Sequence, residues 1–202
     1  TGVAPLREAV SRKIETLYGR RYDPASEITV TAGATQAILT IILAIVHAGD
    51  EVIVLDPCYD SYESAIILSG AKPVHVSLDE HYLPDWNAIE QAITPNTRFI
   101  LTNDPHNPSG RIWSERDYEA LETLLEKNPH LLVLSDEVYE YITFEKKHIS
   151  INQRPKLQHR ALSVSSFGKT FHITGWKIGY IVAPQHLMDE IKKYVVKRLY
   201  FG

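Results

Sequence analysis

Two lysines frame the chemistry open to this chain. Lys169 lies in Ser165-Ser166-Phe167-Gly168-Lys169-Thr170-Phe171, and Lys177 follows eight positions later in Thr174-Gly175-Trp176-Lys177-Ile178-Gly179. One amine can condense with an aldehyde. The other cation, with the Ser166 hydroxyl, can hold a phosphate. Most lysines are solvated surface charges and do neither. Small residues and apolar segments bracket Lys169, however, and partial loss of water makes an amine a better nucleophile toward carbonyls.

Two further segments supply what a phosphorylated aldehyde would need. Asn103-Asp104-Pro105-His106-Asn107-Pro108-Ser109-Gly110 is rich in turn formers. Read plainly it is a rigid loop. Read chemically, Pro108 holds Asn107 so that its amide meets a ligand oxygen. Asp136-Glu137-Val138-Tyr139 follows the apolar run Leu131-Leu132-Val133-Leu134. An acid in that place is commonly a helix cap. It can also be a buried carboxylate that keeps a pyridine nitrogen protonated, so that the ring accepts electrons. The cofactor matching all these groups is pyridoxal 5'-phosphate (PLP).

The elements that must position these residues alternate. Helical periodicity covers residues 6–18, with Leu6, Val10, Ile14 and Leu17 on one face, and recurs at 36–47, 59–69, 86–93, 114–127 and 185–199. Ser114 is the expected cap of the fifth of these helices. Strand-like runs fall at 28–31, 51–55, 73–77, 98–102, 131–135, 161–165 and 178–183. Strands alternating with helices predict a three-layer α/β/α sandwich around a mostly parallel, seven-stranded sheet. In such sheets ligands bind beyond the carboxyl ends of the strands. The residues of interest all follow predicted strand ends: Gly33, Ala34 and Thr35; then Asp56 to Tyr59; then Asn103 to Gly110; then Asp136 and Tyr139; then Ser166 to Lys169.

Composition narrows the class. The chain has 202 residues, 44% hydrophobic and 23% charged, which suits one globular domain. The net charge of −4 argues against nucleic acid as a partner. Lys192, Lys193, Lys197 and Arg198 read as a solvated helix face. The apolar stretch 37–46 is about half a membrane span and reads as a buried helix, so no membrane association is expected. Cys58 is the single cysteine, which excludes a disulfide framework and a cysteine-based zinc site and fits the cytoplasm. It reads as a small packed residue rather than a reactive thiol. The nine histidines show no metal-ligand spacing, and His106 and His172 read as loop or supporting residues. No metal ligand is assigned. Tyr18, Tyr22 and Tyr62 read as packing or surface residues. No dinucleotide or P-loop phosphate motif occurs.

The joint order of Asn103 to Gly110, Asp136 to Tyr139, and Ser166 to Gly179 resembles the class I/II PLP-dependent aminotransferases of fold type I. Asp56-Pro57-Cys58-Tyr59-Asp60-Ser61-Tyr62 and Ser166 to Phe171 are similar to the methionine, kynurenine and glutamine aminotransferase branch. The resemblance spans the chain. It implies that Lys169 forms the internal aldimine and later moves the substrate Cα proton. It gives Asp136 to the pyridine nitrogen, and Tyr139 and Asn107 to the cofactor 3′-oxygen, with Asn107 also near the substrate carboxylate. It places Tyr59 on the ring face and Gly33, Ala34, Thr35, Ser166 and Lys177 at the phosphate. Four positions depart from the pattern: Ala34 and Gln36 stand where glycine is frequent, Lys177 where arginine is, and Asp104 where threonine is.

The implied reaction is transamination between an L-amino acid and a 2-oxo acid, with methionine, aromatic amino acids or glutamine favoured, in a cytoplasmic homodimer. Residues 1–202 then form the PLP-binding large domain, with the N-terminal arm and the C-terminal small domain, including the substrate-carboxylate arginine, outside the chain. Two other readings share the sequence features. One is a PLP-dependent carbon–sulfur β-lyase. The other is an aminotransferase-like sensor domain of a transcription regulator.

Overall fold

The computed structural model describes residues 1–200, with side chains up to residue 195. Its strands are β1 (Ile28–Thr31), β2 (Glu51–Asp56), β3 (Lys72–Ser77), β4 (Thr97–Asn103), β5 (Leu132–Asp136), β6 (Ala161–Ser166) and β7 (Gly179–Val182). They form one sheet in the order β1-β7-β6-β5-β4-β2-β3. β2 to β6 pair in parallel. β7 runs antiparallel to both β6 and β1, so β1 points the same way as the other five. The mostly parallel sheet is therefore as expected, and the single reversed strand lies inside it.

The helices are α1 (Ala4–Tyr18), α2 (Ala34–Ile45), α3 (Ser61–Leu68), α4 (Trp86–Ala92), α5 (Glu115–Lys127), the one-turn α6 (Phe167–Thr170) and α7 (Gln185–Tyr200). One face of the sheet is covered by α2, α3 and α7, whose Ile38, Ile41, Ile66 and Ile191 pack with Val52, Leu134 and Ile181. The other face is covered by α4 and α5, through Ile89, Leu121 and Leu125 on Ile53, Ile100 and Val133. At the β1–β7 end, α1 covers that same face through Val10 and Ile14 on Ile28, Tyr180 and Val182. Burial on both faces explains why β2 and β5 read as nearly continuous apolar runs.

Local signals set the element ends. Asp117 and Ser114 form a reciprocal capping box that starts α5. Asp85 accepts from the amides of Asn87 and Ala88 and starts α4. Leu17, expected on the inner face of α1, is instead exposed, because the helix turns Val10, Ser11 and Ile14 inward. Lys192, expected to be solvated, donates to the Ala25 and Ser26 carbonyls at 2.7 and 2.9 Å and ties α7 to the turn before β1. The side chains of Lys197 and Arg198 lie outside the described residues. Among the described residues no helix is long and apolar enough to cross a membrane.

Candidate active site

The topology puts the carboxyl ends of β1, β2, β4, β5 and β6 on one rim, where the amino end of the reversed β7 joins them. A cavity of about 590 Å³ opens there. Gly33, Ala34, Thr35, Tyr59, Asn107, Asp136, Tyr139, Ser166, Lys169 and Lys177, all the site residues expected from sequence, line it.

One end of the cavity is built for an anion. Gly33 precedes α2 with φ +85°, and no side chain caps that helix. No acidic residue sits in its first turn. The free N–H groups of the first turn and the helix dipole thus favour a negative ligand. Ser166 caps α6: its Oγ accepts from the Gly168 N–H at 3.1 Å and donates to the Ile178 carbonyl at 3.3 Å. Lys177, in left-handed conformation at φ +51°, adds a cation. Gly179 makes the arrangement possible. A Cβ there would lie 2.6 Å from the Gly33 carbonyl carbon and 2.7 Å from the Ala34 nitrogen. Gly179→Val therefore pushes the start of α2 away from β7. We expect it to weaken PLP binding by about tenfold or more, measured by fluorescence titration of the apoprotein.

The opposite end holds a buried acid. Asp136 is 4% exposed, and burial pushes its carboxyl up to about 6. The Tyr62 hydroxyl, donating to Oδ2 at 2.6 Å, and the Val138 N–H, donating to Oδ1 at 3.3 Å, oppose that rise. Tyr62, expected to be a packing or surface residue, is thus a site residue. Its signal was its place three positions after Tyr59, at the start of α3. The two rings meet edge to face at 5.7 Å. Asn103, at the start of the turn-rich segment that follows the fourth strand, also lines the cavity. It is buried at the end of β4, donates to the Asp136 carbonyl at 3.0 Å and accepts from the Asn107 N–H at 2.8 Å. One amide thereby sets the register between the Asp136 strand and the Asn107 loop.

Between the two ends, Lys169 Nζ stands 5.4 Å from the centre of the Tyr139 ring. Among the described residues, neither Lys169 nor Lys177 has a carboxylate partner. The desolvated setting expected for Lys169 is not observed. Its side chain is exposed, because α6 carries it on the cavity side instead of between the strands.

Buried polar struts hold the two acidic loops together. His148, 2% exposed, lies 3.2 Å from Asp104 and 3.3 Å from Glu137. Burial alone would lower its pKa, but the two carboxylates outweigh burial and raise it to about 10. Asp104 also accepts from the Trp113 N–H at 2.9 Å and the Tyr118 hydroxyl at 3.1 Å. Glu137 accepts from Ser150 Oγ at 2.6 Å and the Ile151 N–H at 2.8 Å. This network gives Asp104 its role: threonine could not face an imidazolium with a charge. A histidine with a raised pKa stabilises the fold fully below the unfolded value of about 6.5 and stops doing so as pH passes the folded value. Thermal melts should therefore show stability falling between about pH 6.5 and 10. Asp104→Asn should flatten that fall.

The remaining groups are supports. His106 bridges Ser109 Oγ at 2.7 Å and the Pro57 carbonyl at 2.9 Å, as its supporting role required. The Tyr18 hydroxyl donates to Glu140 at 2.6 Å and the Tyr22 hydroxyl to Asn152 at 2.7 Å, both away from the cavity. Burial and nearby carboxylates, Asp56 first among them, push the Cys58 thiol up to about 12, so it keeps its proton as long as no cation displaces it.

This donor set fits a phosphorylated pyridine aldehyde. Uncapped amides, a hydroxyl and a lysine serve the phosphate end, and a buried carboxyl serves the ring nitrogen. An amine without an ion-pair partner stands between them. Fold and site thus define a three-layer α/β/α domain with an anion- and amine-bearing cavity at its carboxyl rim. Residues 1–200 match the model of the aminotransferase class I and II family, and the chain belongs to that family. The family is PLP-dependent. The chain is 48% identical over 195 residues to the methionine aminotransferase of Escherichia coli (strain K12), covering 96% of this chain and 50% of that protein. It is 33% identical to kynurenine–oxoglutarate transaminase 1 of Mus musculus, covering 95% of this chain and 48% of that protein. The crystal structure of YbdL from Escherichia coli, described as having a methionine aminotransferase function, superposes with TM-score 0.95 at 47% identity over 100% of this chain and 53% of that one. The chain thus spans about half the length of the curated relatives it matches.

Proposed function

We propose that this chain is the cofactor-binding large domain of a PLP-dependent aminotransferase that moves an amino group between an L-amino acid and a 2-oxo acid. The observation that carries the reading is the convergence of Lys169, Asp136, Tyr139, Asn107, Tyr59, Ser166 and Lys177 on one cavity from separate strand ends. Methionine heads the favoured donors, supported by the 48% identity to a methionine aminotransferase; aromatic amino acids and glutamine follow.

When bound, PLP supplies an electrophilic carbonyl and an electron-accepting ring. The first-turn amides of α2, Thr35, Ser166 and Lys177 hold its phosphate. Gly33 gives the chain the turn that opens those amides. Asp136 holds the proton at the ring nitrogen, with Tyr62 and Val138 fixing the carboxyl plane. Tyr139, Asn107 and Tyr59, which line the same cavity, would hold and orient the ring. Lys169 Nζ would face the carbonyl, and its amine would take up and return the substrate Cα proton.

The same reading makes the enzyme a cytoplasmic homodimer, with the N-terminal arm and small domain in the remainder of a longer protein. The apolar surface where Tyr141 and Phe171 are exposed beside the partly exposed Leu6 and Phe167 supports a protein partner. An amino-donor panel on the purified protein tests the function. The expected product is the 2-oxo acid of the donor, in step with glutamate or another amino acid formed from the acceptor. Release of pyruvate and ammonia from a cysteine conjugate, without amino transfer, would overturn it in favour of the β-lyase.

A further inference from the structure

A second cluster lies at the opposite edge of the sheet from β1, outside the cavity. Asp56 ends β2, Cys58 follows it by two residues, and His75 sits on β3, the edge strand. The parallel register places Val54 beside His75 and Asp56 beside Ser77, so His75 stands diagonally across from Asp56. A carboxylate oxygen of Asp56, the Cys58 sulfur and a ring nitrogen of His75 all lie within 4.8 Å of one another. His75 Nδ1 is 2.8 Å from Asp56 Oδ2. Glu63, on α3, approaches the other ring nitrogen at 3.9 Å. None of Asp56, Cys58 and His75 lines the cavity or enters the catalytic assignments above.

We propose that Asp56, Cys58 and His75 form a binding site for a borderline-soft divalent cation of the zinc class, with the fourth position open to water or Glu63. The donor set selects that class. A thiolate and an imidazole disfavour magnesium and calcium, which prefer all-oxygen shells, and suit zinc, cobalt and cadmium. Three protein ligands with one open position is a recurrent zinc arrangement. Tetrahedral bonds of the usual zinc lengths put donors about 3.3–3.6 Å apart. The observed cluster reaches that spacing by side-chain rotation, because His75 and Asp56 are partly exposed and free to turn. Binding replaces the proton shared between His75 and Asp56. At sulfur, the S–H bond breaks, a sulfur–metal bond forms and the proton leaves to solvent. With one cysteine in the chain, sequence spacing pointed away from such a site; strand pairing brings the imidazole to the sulfur.

The test is a titration of the tag-free purified protein with cadmium, cobalt and zinc chlorides in a non-coordinating buffer. One equivalent of cadmium should produce sulfur-to-metal charge-transfer absorption in the ultraviolet, and zinc should displace it. Cys58→Ser and His75→Gln should each weaken zinc binding by at least about tenfold. His47→Gln, at another exposed histidine beside an acid, should not. Equal zinc affinity in wild type and both ligand variants would overturn the proposal, as would bound cadmium without sulfur absorption. Should Cys58→Ser fail to fold, the wild-type absorption and the His75→Gln affinity decide between these results.

Discussion

Lys169→Ala should reduce the transamination rate by at least about 10³-fold, the scale of losing a positioned base, while the protein still binds PLP. Lys169 is exposed on α6 and packs only loosely, 5.4 Å from the Tyr139 ring, so its removal leaves the core intact. The Ser166 cap, the start of α2 and Lys177 remain to hold the phosphate. Two measurements separate this from a general loss of binding. Borohydride reduction of the wild-type protein should fix a cofactor-sized mass on the peptide carrying Lys169, and none on the variant. Exogenous small amines should restore part of the variant's proton transfer. Survival of the lysine-linked visible absorbance in the alanine variant, without added amine, would refute the assignment.

Asp136→Asn should lower activity by about 10²–10³-fold, the range for losing one preorganised electrostatic partner in an enclosed site. Asparagine keeps the shape and still accepts from the Tyr62 hydroxyl, but it carries no charge to hold a proton at the ring nitrogen. The same substitution should move stability in the other direction. Burial raises the Asp136 carboxyl from 3.8 to about 6. The unfolded chain then loses its proton at lower pH than the folded one. Apoprotein stability from this group therefore falls as pH rises from about 4 to 6 and stays lower above that range. The loss is on the order of 3 kcal/mol if no other group compensates. Asp136→Asn should remove that slope in denaturant melts at several pH values while weakening PLP binding. A variant that loses both stability and activity at pH 7 would show that Asp136 is simply part of the core.

The two substitutions probe different parts of one device. Lys169 acts by mobility, so it sits on a one-turn helix at the mouth of the cavity. Asp136 acts by fixity, so it ends a fully buried strand with a hydrogen bond on each carboxyl oxygen. The Asp104–His148–Glu137 bridge and Asn103 keep the Asn107 loop in register with that strand.

The residue pattern alone was enough for the layer architecture, because strands buried on both faces must be apolar throughout and their covering helices must be amphipathic. It reached many of the cavity residues as well, since ligand groups in such sheets follow strand ends, and Gly33, Asp136 and Ser166 each do so. Other features had no local signal. Nothing in residues 179–182 marks β7 as the one reversed strand, because direction depends on which neighbours it meets. Tyr62 looked like packing because its partner, Asp136, is far away in sequence. Asp104 had no account until folding placed His148 beside it, and Cys58 stood alone until β3 carried His75 next to β2. Periodicity reports which face of an element is buried; only the assembled sheet decides which polar group meets which, because those contacts join residues that the chain itself keeps apart.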